Sequence, residues 1–215
     1  MTFVQLSSAS LLFLTLWSCR QEGACAAPES SPPSGQRRST DPWTAAGLVK
    51  DLSLGDAPVA LLNVDYGKAS VTINGSLTPE QTSSAPTVSL VGAINCIPPF
   101  ALVMLDPDAP SRNDATERSW LHWMVVNAKS TTELHEGEQL MPYEGPAPPR
   151  GTGPHRYVFL AYCQSGSSAN SASLKPTHRN KFHLKEFRKK LGGMVPFAGT
   201  FFYAENTANT KGTPL

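Results

Sequence analysis

The sequence predicts a mostly-β fold with short strands, many turns and few helices, built as one domain. Its 215 residues suffice for one good hydrophobic core. They include 16 glycines and 19 prolines, which favour turns between short strands over long helices. Several short segments are continuously apolar or alternate between apolar and polar residues, as strands do: 59–64, 69–73, 87–91, 101–105, 121–126 and 157–162.

Two short helices are also predicted. The first lies within residues 43–55, and the second precedes Gly192 and Gly193, a pair that commonly ends a helix. The residues expected to face the core are Leu48, Leu52 and Leu54 in the first helix and Leu184, Phe187 and Leu191 in the second. The second helix carries a basic face, which is either solvated or a site of peripheral contact with anionic lipid: Lys185, Arg188, Lys189 and Lys190.

The N-terminal region is expected to direct secretion to the extracellular space. Residues 11–17 are largely apolar but too few to span a bilayer comfortably, and small residues follow at 24–27. A retained membrane anchor is the alternative. The expected boundaries are a signal peptide at 1–26, a disordered lead-in at 27–42, the folded domain at 43–205 and a flexible tail at 206–215.

Secretion would place two features in an oxidising compartment. Cys96 and Cys163 remain after cleavage, and they either form a disulfide or stay as two buried thiols. Asn74, Gly75 and Ser76 form a glycosylation sequon. Asn-Gly is also a favoured turn, and both interpretations hold together because the tip of a turn is exposed.

The segment 106–112 follows the buried strand directly and reads DPDAPSR. Its carboxylates, Asp106 and Asp108, are held by two prolines, which fix the backbone φ angle and lack an N–H donor. A stiff loop of this kind can hold a carboxylate against a neighbouring imidazole. The alternative is a rigid turn whose aspartates cap local backbone N–H groups.

Two histidines lie on different predicted strands. By alternation, the residues that share a face are Trp120, His122 and Met124 in one strand, and His155, Tyr157 and Phe159 in the other. Together with an aspartate from 106–112, these side chains are expected to converge on one small pocket. Gly145, Pro148 and Pro149 would form its rim.

Such a pocket suits a phosphate or carboxylate, because imidazole N–H and phenol O–H groups donate hydrogen bonds. A metal site and a hydrolase are competing interpretations. No compact H-x-x-x-H spacing supports the metal site. Ser111 lies near the aspartates, but no G-x-S-x-G motif supports the hydrolase. The formal net charge of +1 gives no reason to expect nucleic acid as a partner.

Three segments in this order resemble the signature blocks of phosphatidylethanolamine-binding proteins: 106–112 (DPDAPSR), 120–123 (WLHW) and 151–157 (GTGPHRY). The resemblance implies a central antiparallel sheet packed on a second, smaller sheet, with few peripheral helices. It implies a non-catalytic, monomeric protein without a cofactor that binds a phospholipid head group or a small anion. The signal-like N-terminus resembles the secreted branch of the family. Since members also inhibit proteases or bind kinases through loops around the pocket, either activity is the alternative.

Carried over by position, the resemblance implies these ligand-binding residues: Asp106, Asp108, Pro110, Trp120, His122, Gly145, Pro148, His155 and Tyr157. Two positions depart from the usual pattern. Leu121 stands where many members have a second histidine, and Ala147 replaces a glycine of the rim. The tail after residue 205 is short and polar, where animal cytosolic members have a helix that covers the pocket. These departures predict a more open pocket.

Overall fold

The computed structural model describes residues 41–92, 95–164 and 168–207. The expected signal peptide at 1–26, most of the lead-in and the tail from residue 208 lie outside these residues. Asp41 caps the first helix by accepting hydrogen bonds from two backbone N–H groups, and Pro42 begins that helix. Residues 41 and 42, which the sequence analysis assigned to the lead-in, are the N-cap and the first residue of this helix.

The described residues form eight strands and four α-helices. The helices are α1 (Pro42–Ala45), α2 (Leu48–Asp51), α3 (Ser171–Leu174) and α4 (Leu184–Lys190), with a 3-10 helix at Leu134–Glu136. The strands are β1 (Ala60–Asp65), β2 (Gly75–Ser76), β3 (Thr87–Leu90), β4 (Phe100–Asp106), β5 (Trp120–Ala128), β6 (Glu138–Met141), β7 (His155–Cys163) and β8 (Ala198–Ala204).

The strands form one curled sheet in the order β3-β1-β8-β7-β4-β5-β6, with β2 also paired to β8. The pairs β1–β8 and β2–β8 are parallel, and the other pairs are antiparallel. The smaller antiparallel pair, β1 with β3, joins the main sheet through only two paired positions of β1 and β8. The mostly-β prediction with few helices is confirmed.

The core lies on both faces of the two central strands, β4 and β7. Every residue of β4 is buried, which agrees with the apolar segment 101–105. The helices cover one face, where the predicted inward residues Leu48, Leu52, Leu54, Leu184, Phe187 and Leu191 all pack into one cluster. No helix in the described part of the chain is long and apolar enough to cross a membrane.

One predicted strand is wrong, and three strands were not predicted: the two-residue β2, β6 and β8. Residues 69–73 contribute a single bridge between Asp65 and Ser70, and the chain then turns at Asn74, whose φ is 63°. Strand β6 is short and largely exposed, with only Leu140 buried. Strand β8 (AGTFFYA) lies between β1 and β7, and residues 200–203 (TFFY) are types that favour strands, so the sequence did carry a local signal for it.

Strand β5 contains an irregularity that determines where His122 lies. Leu105 pairs with Leu121 and Met104 pairs with Trp123, so His122 is an extra residue opposite the β4 strand. Leu121 and Met124 consequently pack on the helix-covered face, while Trp123 packs on the other face. The predicted alternation of Trp120, His122 and Met124 on one face is therefore wrong for Met124.

Candidate anion-binding pocket

A pocket of about 220 Å³ lies where β4 ends and where β5 and β7 begin. These three ends meet because β4 is antiparallel to both neighbours, so the last residue of β4, Asp106, pairs with the first residue of β5, Trp120. The residues that line the pocket are Asp106, Ala109, Pro110, Glu117, Trp120, His122, Glu144, Ala147, Pro148, Pro149, His155 and Tyr157.

His155 is held through both of its ring nitrogens. Its Nδ1 lies 2.8 Å from Oδ2 of Asp106, and its Nε2 lies 2.9 Å from Oγ1 of Thr152. The Thr152 hydroxyl also donates to the carbonyl oxygen of Pro149 at 2.8 Å. Oδ1 of Asp106 accepts from the backbone N–H of Asp108 at 2.7 Å. The loop 106–112 thus holds a carboxylate against an imidazole, and this imidazole has no free nitrogen for a ligand.

His122 is held through one ring nitrogen. Its Nδ1 lies 2.7 Å from the backbone carbonyl oxygen of Glu144. A carbonyl oxygen only accepts, so Nδ1 carries the hydrogen and donates it. The ring also meets the ring of Tyr157 edge-on, with centroids 5.1 Å apart. Burial lowers the pKa of His122 below 6.5, against the opposing effects of the Glu144 carbonyl and of Asp106.

Tyr157 supplies a hydroxyl at the base of the pocket. It is 1% exposed, and its ring stacks on Phe202 with centroids 5.5 Å apart. Burial, reinforced by the charge of Asp106, raises the pKa of Tyr157 above its ordinary value of 10.0. The backbone of Ala147 acts in the opposite direction and partly offsets this increase in the pKa. The phenol therefore keeps its hydrogen and can donate it to a bound anion.

Asp108 does not line the pocket, although the sequence analysis placed it among the ligand-binding residues. Its carboxylate accepts from the backbone N–H and from Nε of Arg156, each at 2.9 Å, and also pairs with Nη2. Burial alone would raise the pKa of Asp108, but the hydrogen bonds and charge of Arg156 outweigh it and lower that pKa below 3.8. Since Arg156 also binds Asp51 at 2.7 Å, Asp108 belongs to a buried ionic network behind the pocket.

The rim of the pocket is apolar and is formed largely by proline. Pro110, Ala147 and Pro148 line it, whereas Gly145 does not. A Cβ atom at Gly145 would lie 2.7 Å from the carbonyl oxygen of Thr82, so this glycine allows two backbone segments to approach closely. Gly145 therefore positions the rim and does not contact the cavity.

Sequence reasoning missed two carboxylates of the pocket wall, Glu117 and Glu144. Glu144 pairs with Arg179 at 2.7 Å, and Glu117 lies 3.7 Å from Lys181. The hydrogen bond from Asn180 also reaches Glu117. All these residues lie in loops outside any strand pattern, so no local signal could have identified them. They become neighbours because the segment 179–181 contacts both glutamates at this end of the sheet.

The family model described as phosphatidylethanolamine-binding protein matches residues 61–202. This chain belongs to the phosphatidylethanolamine-binding protein family. A solved structure of a carboxypeptidase Y inhibitor complexed with its cognate proteinase is 30% identical, with a TM-score of 0.66, and the match covers 78% of this chain and 94% of that one.

Two further solved structures are similar to this chain. The protein CG7054, solved in solution, is 35% identical with a TM-score of 0.56, and the match covers 70% of this chain and 87% of that one. A phosphatidylethanolamine-binding protein from Plasmodium vivax is 20% identical with a TM-score of 0.65, and the match covers 77% and 96% of the two chains. The likeness to the Plasmodium protein supports the fold alone.

The departures from the usual family pattern have structural consequences. Leu121 is fully buried and packs on the helix-covered face, away from His122. Ala147 lines the pocket together with Pro148 and Pro149. Among the described residues, no group of three or more His, Cys, Asp or Glu side chains is arranged to hold a metal ion.

The remaining sequence-derived sites lie away from the pocket. Cys96 and Cys163 are joined by a disulfide, with their Cα atoms 6.1 Å apart. Cys163 ends β7, the strand that His155 begins, so the disulfide is at the far end of the sheet. Asn74 is exposed at a turn, in which the N–H of Gly75 donates to the carbonyl of Thr72 at 2.8 Å. Asn74 is therefore sterically open to a glycan.

Proposed function

We propose that this member of the phosphatidylethanolamine-binding protein family is a secreted, non-catalytic protein that binds a phospholipid head group or a related small anion. The observation that carries the proposal is the polar base of the pocket beneath an apolar rim. At the base, the Tyr157 hydroxyl and the open Nε2 of His122 face a cavity of about 220 Å³. This volume fits a head group and not a whole lipid.

The same geometry supports binding in preference to catalysis. The hydroxyl nearest to His155, that of Thr152, donates to the Pro149 carbonyl and lies outside the pocket lining. The Asp106–His155 pair therefore positions the loop before β7 and activates no nucleophile in the cavity. Turnover of a phosphoester or peptide that His155→Ala abolishes would contradict this part of the proposal.

A ¹⁵N-resolved NMR titration of the imidazole groups with phosphoethanolamine tests the binding function. The His122 signals should shift on binding, and the exposed His178 should not. Tyr157→Phe removes only the hydroxyl and should weaken binding by about tenfold, the effect of one lost hydrogen bond to a charged group. If millimolar ligand moves neither pocket histidine, the pocket does not bind anions.

Protease inhibition is a second candidate function, because one relative of 30% identity is an inhibitor solved with its proteinase. Inhibition through the loops around the pocket would survive His122→Ala, whereas inhibition through the pocket would not. A carboxypeptidase inhibition assay that compares the wild type with the His122→Ala variant distinguishes these two modes of inhibition. The family resemblance also implies a kinase partner. A pull-down of kinases with the wild type and with the His122→Ala variant tests it.

Secretion is proposed from the N-terminal sequence, with cleavage near residue 26. Expression in a eukaryotic cell line, followed by intact mass measurement of the medium, tests it. We expect a mature chain that lacks the first residues, carries a glycan at Asn74 and migrates as a monomer. Retention of the full chain in the cell membrane would support an anchor.

A further inference from the structure

The pocket contains unusually few groups that can stabilise an anion. Its lining includes no lysine or arginine, and it includes three carboxylates, those of Asp106, Glu117 and Glu144. Proline has no backbone N–H, so the prolines of the wall donate nothing. The arginine nearest to His122, Arg179, is engaged by Glu144 and by backbone carbonyls. A dianion would therefore meet a pocket lined by carboxylates and without a lysine or arginine side chain of its own.

Neutral histidines do not make up for this shortage of groups that stabilise an anion. Both ring nitrogens of His155 already have partners in Asp106 and Thr152. His122 has its hydrogen on Nδ1, which faces the Glu144 carbonyl, so its Nε2 carries a lone pair. Nε2 has no protein partner among the described residues, and it is not sealed from solvent. It is the polar ring atom that His122 offers to a ligand.

The surroundings keep His122 neutral at neutral pH. The charged and titratable groups facing it are Asp106 from β4, Tyr157 from β7, Glu144 from the loop after β6, and Arg179 from the segment before α4. The two carboxylates favour the charged ring, but burial outweighs them and the nearby guanidinium adds to it, so the pKa stays below 6.5. An unprotonated phosphate oxygen and the Nε2 lone pair would repel each other.

We infer that the pocket selects anions that carry a hydrogen, so that a phosphomonoester binds as its monoanion and donates its P–OH to Nε2 of His122. An ionised oxygen of the same group accepts the Tyr157 hydroxyl hydrogen. A phosphodiester or a sulfate ester has no such hydrogen, and binds only after His122 takes up a proton. This inference rests on the proposed function, and it names the ligand class as phosphomonoesters in preference to diester head groups of intact lipids.

A matched pair of ligands tests the inference: phosphoethanolamine, a monoester, and glycerophosphoethanolamine, a diester with the same amine. We expect the monoester to bind more tightly than the diester near pH 6, where much of the monoester is already the monoanion and only the diester needs the unfavourable imidazolium. Calorimetry in two buffers of different ionisation enthalpy should show uptake of about one proton with the monoester near pH 7.5, since its second pKa is about 6. Its affinity should rise as the pH falls toward 6.

His122→Asn keeps a donor for the Glu144 carbonyl but removes Nε2, so it should lose the preference for the monoester. His178→Asn, at an exposed histidine, is the matched control and should keep that preference. Equal affinities for the two ligands in the wild type, or monoester binding without proton uptake, would overturn the inference while leaving anion binding intact. If neither ligand binds between about pH 5.5 and pH 7.5, the proposed function fails as well.

Discussion

His122 and His155 lie in one pocket but have different tasks, and the difference is a single hydrogen bond. His155 uses both ring nitrogens to join β4 to the loop before β7. His122 uses one, because its other nitrogen has no partner among the described residues. The two imidazoles therefore differ in role: His155 holds the site together, and His122 keeps one ring nitrogen open to a ligand.

The neutral state of His122 predicts a pH dependence of stability. The unfolded chain binds a proton at this residue near pH 6.5, whereas burial lowers the pKa of the folded protein below that value. The contribution of His122 is therefore fully present above pH 6.5 and is lost as the pH falls toward the lowered folded pKa. Urea unfolding at several pH values should show a shallower acid decline for His122→Asn than for wild type, and parallel curves would contradict the prediction.

We expect replacement of Asp108 to lower the stability of the protein strongly, whether or not a ligand is bound. Both it and Arg156 are fully buried, so Asp108→Ala leaves a guanidinium without its main partner. We expect a cost of about 3–5 kcal/mol in the free energy of unfolding. Asp114→Ala, at an exposed position, should cost less than about 0.5 kcal/mol. A stable Asp108→Ala protein that fails to bind phosphoethanolamine would place Asp108 in the site instead.

At the scale of elements, the extra residue in β5 is what brings His122 to the pocket. Without it, strict alternation would place His122 on the same face as Met124, under the helices. The extra residue puts the imidazole beside Tyr157, and it explains why Leu121 and Trp123, two positions apart, pack on opposite faces. Irregular strand ends commonly redirect a side chain toward a site in this way.

The loop that carries Gly145 at the rim of the pocket provides a second prediction at the scale of elements. Gly145→Ala would place a Cβ 2.7 Å from the Thr82 carbonyl oxygen, which Tyr143 already holds by a hydrogen bond of 2.7 Å. We expect a destabilisation of about 1–3 kcal/mol and weaker anion binding, because the loop that carries the Glu144 carbonyl must move. Ala147→Gly, two residues along, should cost at most about 1 kcal/mol. Unchanged melting and binding for Gly145→Ala would show that the rim is not fixed by this contact.

Across the whole molecule, the pocket and the disulfide lie at opposite ends of the central strands. His155 begins β7 and Cys163 ends it, a separation of roughly 27 Å along an extended strand. The disulfide joins two cysteines 67 positions apart, and the segment between them contains β4, β5, β6 and β7. It therefore constrains the chain segments that build the pocket without touching the pocket itself.

Removing the disulfide should lower stability and leave the site intact. For a separation of 67 residues, loss of the loop constraint is expected to cost about 4 kcal/mol. The double variant Cys96→Ala, Cys163→Ala should melt at a lower temperature, and below that temperature it should bind phosphoethanolamine within about twofold of wild type. Equal melting of wild type with and without reductant would contradict the stabilising role.

Local patterns predicted most elements of the fold but not β2, β6 or β8. The apolar segment 101–105 and the segments at 121–126 and 157–162 became β4, β5 and β7, because buried strands need uninterrupted apolar residues. Segment 69–73 also alternates, yet it makes only one bridge, between Asp65 and Ser70. Strand β8 has strand-favouring residues at 200–203 and pairs with β7 along its whole length.

The sequence by itself determined the fold class, the family and most of the residue types that form the pocket, because these depend on local periodicity and on three short motifs. Only the tertiary structure decided which polar groups are available to a ligand. It paired Asp108 with Arg156, engaged both nitrogens of His155 and left Nε2 of His122 open. Hydrogen-bond partners far apart in the chain are chosen by packing, which no local pattern records.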